Sequence, residues 1–211
     1  MAVLCIYLLV RDAVADTCST GPSPLSPPDM YFSRFLCGYS SGVNYMTTSD
    51  ARLAMTYPIS ALMGSVSADY GGVLAFAMSV YNCAQEYGTA HGGIAAKRVV
   101  SLDLPRAQTS DPSMRIVQFT ACCADDDSFS MYSVQNVRFR TANGTELGIG
   151  AEFCRHPQPW VRMPEGYTFA GLVTQFPEDR ANGPDWIHRL AFIAVRGEQL
   201  PDCSSQQGQG G

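Results

Sequence analysis

Val134-Gln135-Asn136-Val137-Arg138-Phe139-Arg140, followed by Thr141-Ala142-Asn143-Gly144-Thr145, is the stretch whose reading decides the fold. Val137 and Phe139 alternate with Arg138 and Arg140, the two-residue period of a strand with one face buried and one in water. Asn143-Gly144 then marks a hairpin turn, because both residues take positive φ at little cost. Two more strand-like runs follow, Tyr167–Val173 and Ile187–Val195. The span Val134–Gly197 therefore predicts a four-strand unit of an antiparallel sheet.

Working outward, the chain of 211 residues suits one β-domain with tails better than two domains. Its charged fraction of 16% is low against about 25% for globular chains. Gly 19 and Pro 13 fit many short strands joined by tight turns. A net charge of −5 speaks against a general nucleic-acid binder, which needs a basic face to release counterions from phosphates. No apolar run reaches the length of about 18 residues that a membrane-spanning helix needs.

Upstream, Ile59–Ala68 and Val73–Tyr81 read as two strands around the turn Asp69-Tyr70-Gly71-Gly72, with Leu74, Phe76, Met78 and Val80 alternating in the second. Val99–Pro105 and Met114–Ala121 are further strand-like runs, Met131–Arg140 leads into the opening stretch, and Ala124–Ser128 is an acidic loop. Tyr31–Leu36 is the first strand and Cys37–Gly42 a Gly-rich turn, while Val43–Pro58 has no period from which an element can be assigned. Met1–Val10 is apolar and Ala13-Val14-Ala15 is a small-x-small site, the pattern of a secretory signal. No basic residue precedes the apolar run and Arg11 follows it, so residues 1–15 are a signal or an apolar arm. Asp16–Asp29, with four prolines, is an extended linker, so that 16–36 form linker and first strand. Residues 37–197 form the domain, and 198–211 a polar tail expected to be disordered.

The eight cysteines contain no Cys-x-x-Cys pair, which disfavours a structural zinc site; no metal or other cofactor is expected. A secreted chain with disulfides and a reduced chain with cysteines in its core both fit. Cys122 and Cys123 are not expected to bond to each other, because their Cβ vectors diverge on an extended backbone. Cys154-Arg155-His156 brings a thiol near an imidazole, but no orienting acid or oxyanion hole accompanies it. No hydrolase elbow, zincin helix or phosphate-binding glycine loop is present, and an enzyme is not expected. Asp125-Asp126-Asp127 reads as a solvated hairpin tip rather than a Ca²⁺ loop, since three consecutive carboxylates do not converge on one ion. Asn143-Gly144-Thr145 is also an N-glycosylation sequon.

The order of these signals resembles a jacalin-related lectin. Ile59–Tyr81 resembles that family's paired strands around a small turn, and His91-Gly92-Gly93 before Val100-Ser101-Leu102-Asp103 its His-Gly-Gly element leading to a Leu-Asp strand. Val134–Thr141 with Gly144, Glu165–Leu172 and Trp186–Ile193 resemble its later strands, so that the likeness covers roughly Cys37–Gly197. The resemblance implies an all-β fold, a β-prism of three antiparallel Greek-key sheets, here with an extended N-terminal segment. It also implies a ligand loop at Ala181–His188 in the last hairpin. Sugar-binding members carry Gly-x-x-x-Asp there; this chain has Gly183, Pro184 and Asp185, with His188 in the place of the final Asp. A proline offers no amide donor and an imidazole is a poorer bidentate acceptor than a carboxylate.

Gly183, Asp185, Trp186 and His188 are accordingly the candidate ligand-binding residues. Trp186 has two readings, a stacking platform beside an acidic acceptor or a residue packed in the core. The expected function is a non-catalytic module, secreted or lumenal, that binds carbohydrate or glycoprotein. The alternative is a structural or accessory subunit, whose partners are neighbouring protein subunits and whose sugar site is degenerate.

Overall fold

The structure is a computed structural model and describes residues 29–38, 44–67, 73–81, 91–92, 99–105, 111–126, 131–177 and 186–196. Its strands form three antiparallel sheets. In the first, β1 (Met30–Phe32) lies beside β13 (Arg189–Arg196), which pairs with β12 (Tyr167–Pro177), and β12 with β2 (Tyr45–Ser49). The second runs β5 (His91–Gly92), β4 (Val73–Tyr81), β3 (Ile59–Ser67), β6 (Val99–Asp103). The third runs β10 (His156–Pro157), β7 (Ile116–Asp126), β8 (Met131–Thr141), β9 (Glu146–Gly150), with β11 (Val161–Arg162) also on β7. Each sheet is a long central hairpin with a shorter strand on either side, the Greek-key order. In the first sheet the flanking strands come from the N-terminal part of the chain and the hairpin from the C-terminal part.

Burial follows the period over Val137–Arg140, while Val134, Gln135 and Asn136 before it are all buried. Val137 and Phe139 are buried, while Arg138 and Arg140 lie on the outer face. Arg140 stacks 4.2 Å over Trp160 and donates to Glu146 Oε1 at 2.5 Å. The centre of the prism is aromatic. Phe192 lies 3.9 Å from Phe119 and 5.9 Å from both Phe139 and Phe169, centroid to centroid, all four fully enclosed. Offset and edge-on contacts of this kind add to the apolar area they remove from water.

The strands expected over Ile59–Ala68, Val73–Tyr81, Met131–Arg140 and Tyr167–Val173 are present, the first described as far as Ser67 and the last longer than its apolar run. Three expectations need correction. Val134–Gly197 is not one four-strand unit: β8 and β9 belong to the third sheet and β12 and β13 to the first. Between them His156–Met163 runs along the edge of β7 as the short strands β10 and β11, interrupted at Pro157 and Pro159, and the chain passes to the first sheet after Arg162. Asp125 and Asp126 lie in β7 opposite Tyr132 and Met131 rather than in a loop, and Asp127 is outside the described residues. At the β8–β9 turn only Gly144 takes positive φ, at 90°; Asn143 contributes its side chain instead. The unassigned stretch 43–58 holds β2 and one helical turn, α1 (Ala51–Ala54). The proposed signal, linker and tail lie outside the described residues, apart from Asp29 at the linker's end.

Candidate functional site

After β1 the chain makes one more bridge, Leu36 donating to Leu190 O at 2.8 Å and accepting from Leu190 N at 3.1 Å, and then reverses. Cys37 at φ 61° and Gly38 at φ 67° begin that reversal. A Cβ on Gly38 would fall 2.2 Å from Arg189 Cγ and 3.3 Å from His188 O, so only glycine lets the first loop lie on the end of the last hairpin. Beneath it the Arg189 guanidinium packs 4.9 Å from Phe35 and 5.4 Å from Tyr45 and donates from Nη1 to Gln175 Oε1 at 3.2 Å. Gly38, where the first loop opens, thus meets His188 and Arg189, where the last hairpin resumes, at one pole of the prism.

Of the four candidate ligand residues, Gly183 and Asp185 lie outside the described residues. Trp186 is 5% exposed and packs with Ala124 of β7. Its indole faces are enclosed, and the packing role weighed for it in the sequence is the one its burial fits. Ile187 O accepts from Val134 N at 2.9 Å, which fastens the end of this hairpin loop to the third sheet. His188 is also buried, with its amide donating to Gln175 O at 3.0 Å and its ring edge-on to Tyr45.

Among the described residues two disulfides stiffen this pole. Cys37 bonds to Cys123 and Cys122 to Cys154, so the adjacent cysteines of β7 each hold a different segment. A register shift between Cys122 and Cys123 breaks the regular ladder between the two cysteines. The first disulfide closes a sequence separation of 86 residues and anchors the turn that carries Gly38. Replacing both Cys37 and Cys123 by serine is expected to lose about 2–4 kcal/mol of stability, the usual value for a native crosslink. Denaturant unfolding checks this; an unchanged midpoint would mean that the loop is held without the bond. Cys154 is committed to a disulfide and offers no thiolate, so the Cys154–His156 pair has no nucleophile. Among the described residues, no group of three or more His, Cys, Asp or Glu is placed to hold a metal.

Sequence reasoning missed a second polar cluster, inside the prism. Asp50, at the end of β2, accepts through Oδ2 from Ser79 Oγ at 2.5 Å and from Leu172 N at 3.1 Å. Its Oδ1 lies 3.3 Å from His91 Nε2, close enough for attraction but not aligned as a hydrogen bond. His91 Nδ1 meets Thr174 Oγ1 at 2.6 Å. Tyr81 OH donates to Ala170 O at 2.8 Å; burial, with Asp50 nearby, pushes its hydroxyl far above the ordinary tyrosine range and keeps it a donor. Gly171 is required where these groups converge, since a Cβ there would lie 2.6 Å from Tyr81 Oη and 2.9 Å from Asp50 Cβ. Acid, imidazole and hydroxyl stand in the order a hydrolase uses, but Asp50, His91 and Thr174 are at most 1% exposed. The cluster therefore acts as a polar clamp between the first and second sheets. Its only sequence signal was His91-Gly92-Gly93, and that signal pointed to the fold rather than to a contact.

No family model matches the sequence, and no curated protein matches it by sequence. Solved structures do match. A mannose-specific jacalin-related lectin from Morus nigra in complex with mannose is 14% identical, with a TM-score of 0.51 over 85% of this chain and 99% of that one. The agglutinin of Calystegia sepium is 11% identical, with a TM-score of 0.53 over 82% and 99%. A prostate-specific glycoprotein lectin is 16% identical, with a TM-score of 0.51 over 78% and 96%. At these identities the likeness is one of architecture. The three Greek-key sheets and these neighbours together give the chain the β-prism fold that jacalin-related lectins have.

Proposed function

We propose that the chain is a non-catalytic binding module that takes carbohydrate or glycoprotein at the pole where its first loop meets its last hairpin. The observation that supports this reading is the seating of Gly38 on His188 O and Arg189, which brings the start of the first loop against the end of the last hairpin loop. In this reading Asp185 accepts ligand hydroxyls, Gly183 lets the backbone approach, and buried Trp186 and His188 hold the loop rather than touch the sugar. The enclosure of the Asp50–His91–Thr174 cluster and the loss of the Cys154 thiol to a disulfide support a role without catalysis. The two disulfides support a secreted or lumenal setting, where such bonds persist.

A glycan array probed with the full chain tests the proposal. Binding to a subset of glycans is expected, and Asp185→Asn is expected to weaken it about ten- to hundredfold, as for loss of a charge-assisted hydrogen bond. Silence across the array from a folded protein sinks it. The buried imidazole at position 188, where sugar-binding members have an acid, favours the second reading, a structural subunit with a degenerate site. That reading expects a silent array together with stable co-purification in a larger assembly.

A further inference from the structure

The turn between β8 and β9 carries a motif that the ligand pole does not use. Asn143-Gly144-Thr145 is the only Asn-x-Ser/Thr sequon in the chain, and Ala142 to Glu146 are all exposed. The side-chain oxygen of Asn143 shapes the turn, accepting from Thr141 Oγ1 at 2.5 Å and from Thr145 N at 3.0 Å. Its backbone N–H donates to Ser113 O at 2.8 Å. The amide nitrogen makes one contact of its own, Nδ2 to Met114 Sδ at 3.3 Å. Attachment of a sugar replaces one of the two hydrogens on Nδ2. The bonds that shape the turn run through Oδ1 and the backbone, not through Nδ2. Next to it, Gly144 presents open space, with nothing within 4 Å of where a Cβ would stand.

We infer that Asn143 is a site of N-linked glycosylation. The donor is an oligosaccharide joined to a lipid diphosphate. Nδ2 attacks the anomeric carbon, the N–C bond forms as the C–O bond to the diphosphate breaks, the lipid diphosphate leaves, and the amide proton passes to a base of the transferase. The disulfides Cys37–Cys123 and Cys122–Cys154 are a separate observation in favour, since they belong to the oxidising compartments through which such chains pass. Position makes the modification compatible with ligand binding. Val134 is fastened to Ile187 at the ligand pole, and β8 then runs to Thr141, about 23 Å away at the strand rise of ~3.3 Å per residue. The glycan stands at the opposite pole, at the tip of the third sheet.

The test is expression of the full chain in a eukaryotic secretory cell, followed by N-glycosidase treatment in heavy-oxygen water. A mobility shift is expected, with an aspartate bearing one heavy oxygen left at position 143. The isotope separates this product from spontaneous deamidation before treatment, to which Asn-Gly pairs are prone. Asn143→Gln and Thr145→Ala are expected to abolish the shift, and Thr145→Ser to retain it. Thr145→Ala leaves the backbone bonds of the turn in place, so the variant should be recovered folded, as the parent is. A chain recovered wholly unmodified, from medium or from cells, overturns the inference, and so does a shift that survives Asn143→Gln.

Discussion

Asp50→Ala is expected to lose about 3–5 kcal/mol of stability, the scale on which breaking a buried ion pair from one side destabilises a fold. The carboxylate is 1% exposed and takes two hydrogen bonds, from Ser79 Oγ and Leu172 N, with His91 beside it. Alanine takes the carboxylate acceptor from Ser79 Oγ and Leu172 N, and the charge from beside His91, in a place closed to water, and the cost of a buried orphan exceeds the value of the bond it once made. Such a loss is a large part of a stability of about 5–15 kcal/mol, so the measurement is urea unfolding in the cold, or soluble yield if the variant does not fold. Asp50→Asn keeps one acceptor oxygen and should fall between parent and alanine. A loss below about 1 kcal/mol for alanine would mean that water replaces the carboxylate, and the clamp between the sheets would be disproved.

Phe192→Ala is the second large effect, again about 3–5 kcal/mol, through the cavity it opens. Its ring is fully buried and touches Phe119 of β7, Phe139 of β8 and Phe169 of β12, which come from two sheets, so no single neighbour can move to fill the space. Phe192→Leu keeps most of the volume and should cost much less. Similar thermal midpoints for the two variants would contradict the rigid aromatic centre described above.

The sequence revealed what is local and hid what is distant. Strands such as β4 and β8 were legible because their side chains alternate between core and water along a few residues. β2 was not: Tyr45-Met46-Thr47-Thr48-Ser49 is a half-exposed edge strand, and such strands need no apolar period. The division of Val134–Gly197 between two sheets was invisible because the period of a strand says which face is buried and nothing of which sheet it joins. Trp186 beside a Gly-Pro-Asp turn has the look of a sugar platform; its burial depends on Ala124, far away in the sequence. The Asp50 cluster is the extreme case, since Asp50 and Leu172 are separated by 122 residues and no local pattern announces their meeting. The Cys122-Cys123 pair could be read as not self-bonding from backbone geometry alone, whereas its partners could not be chosen.

The composition of the first sheet has a consequence for how the molecule comes into being. Met30 pairs with Val195, and Ser49 with Val173, so the earliest strands wait for the latest ones. On the ribosome the second and third sheets, whose strands are near one another in the chain, can form as they emerge. β1 and β2 meanwhile have no partners, and their edges stay open until the final hairpin arrives. Closing contacts of such high order slow the last step of folding. The span of synthesis between them is the interval in which the nascent chain is most exposed to wrong pairing and most in need of a chaperone.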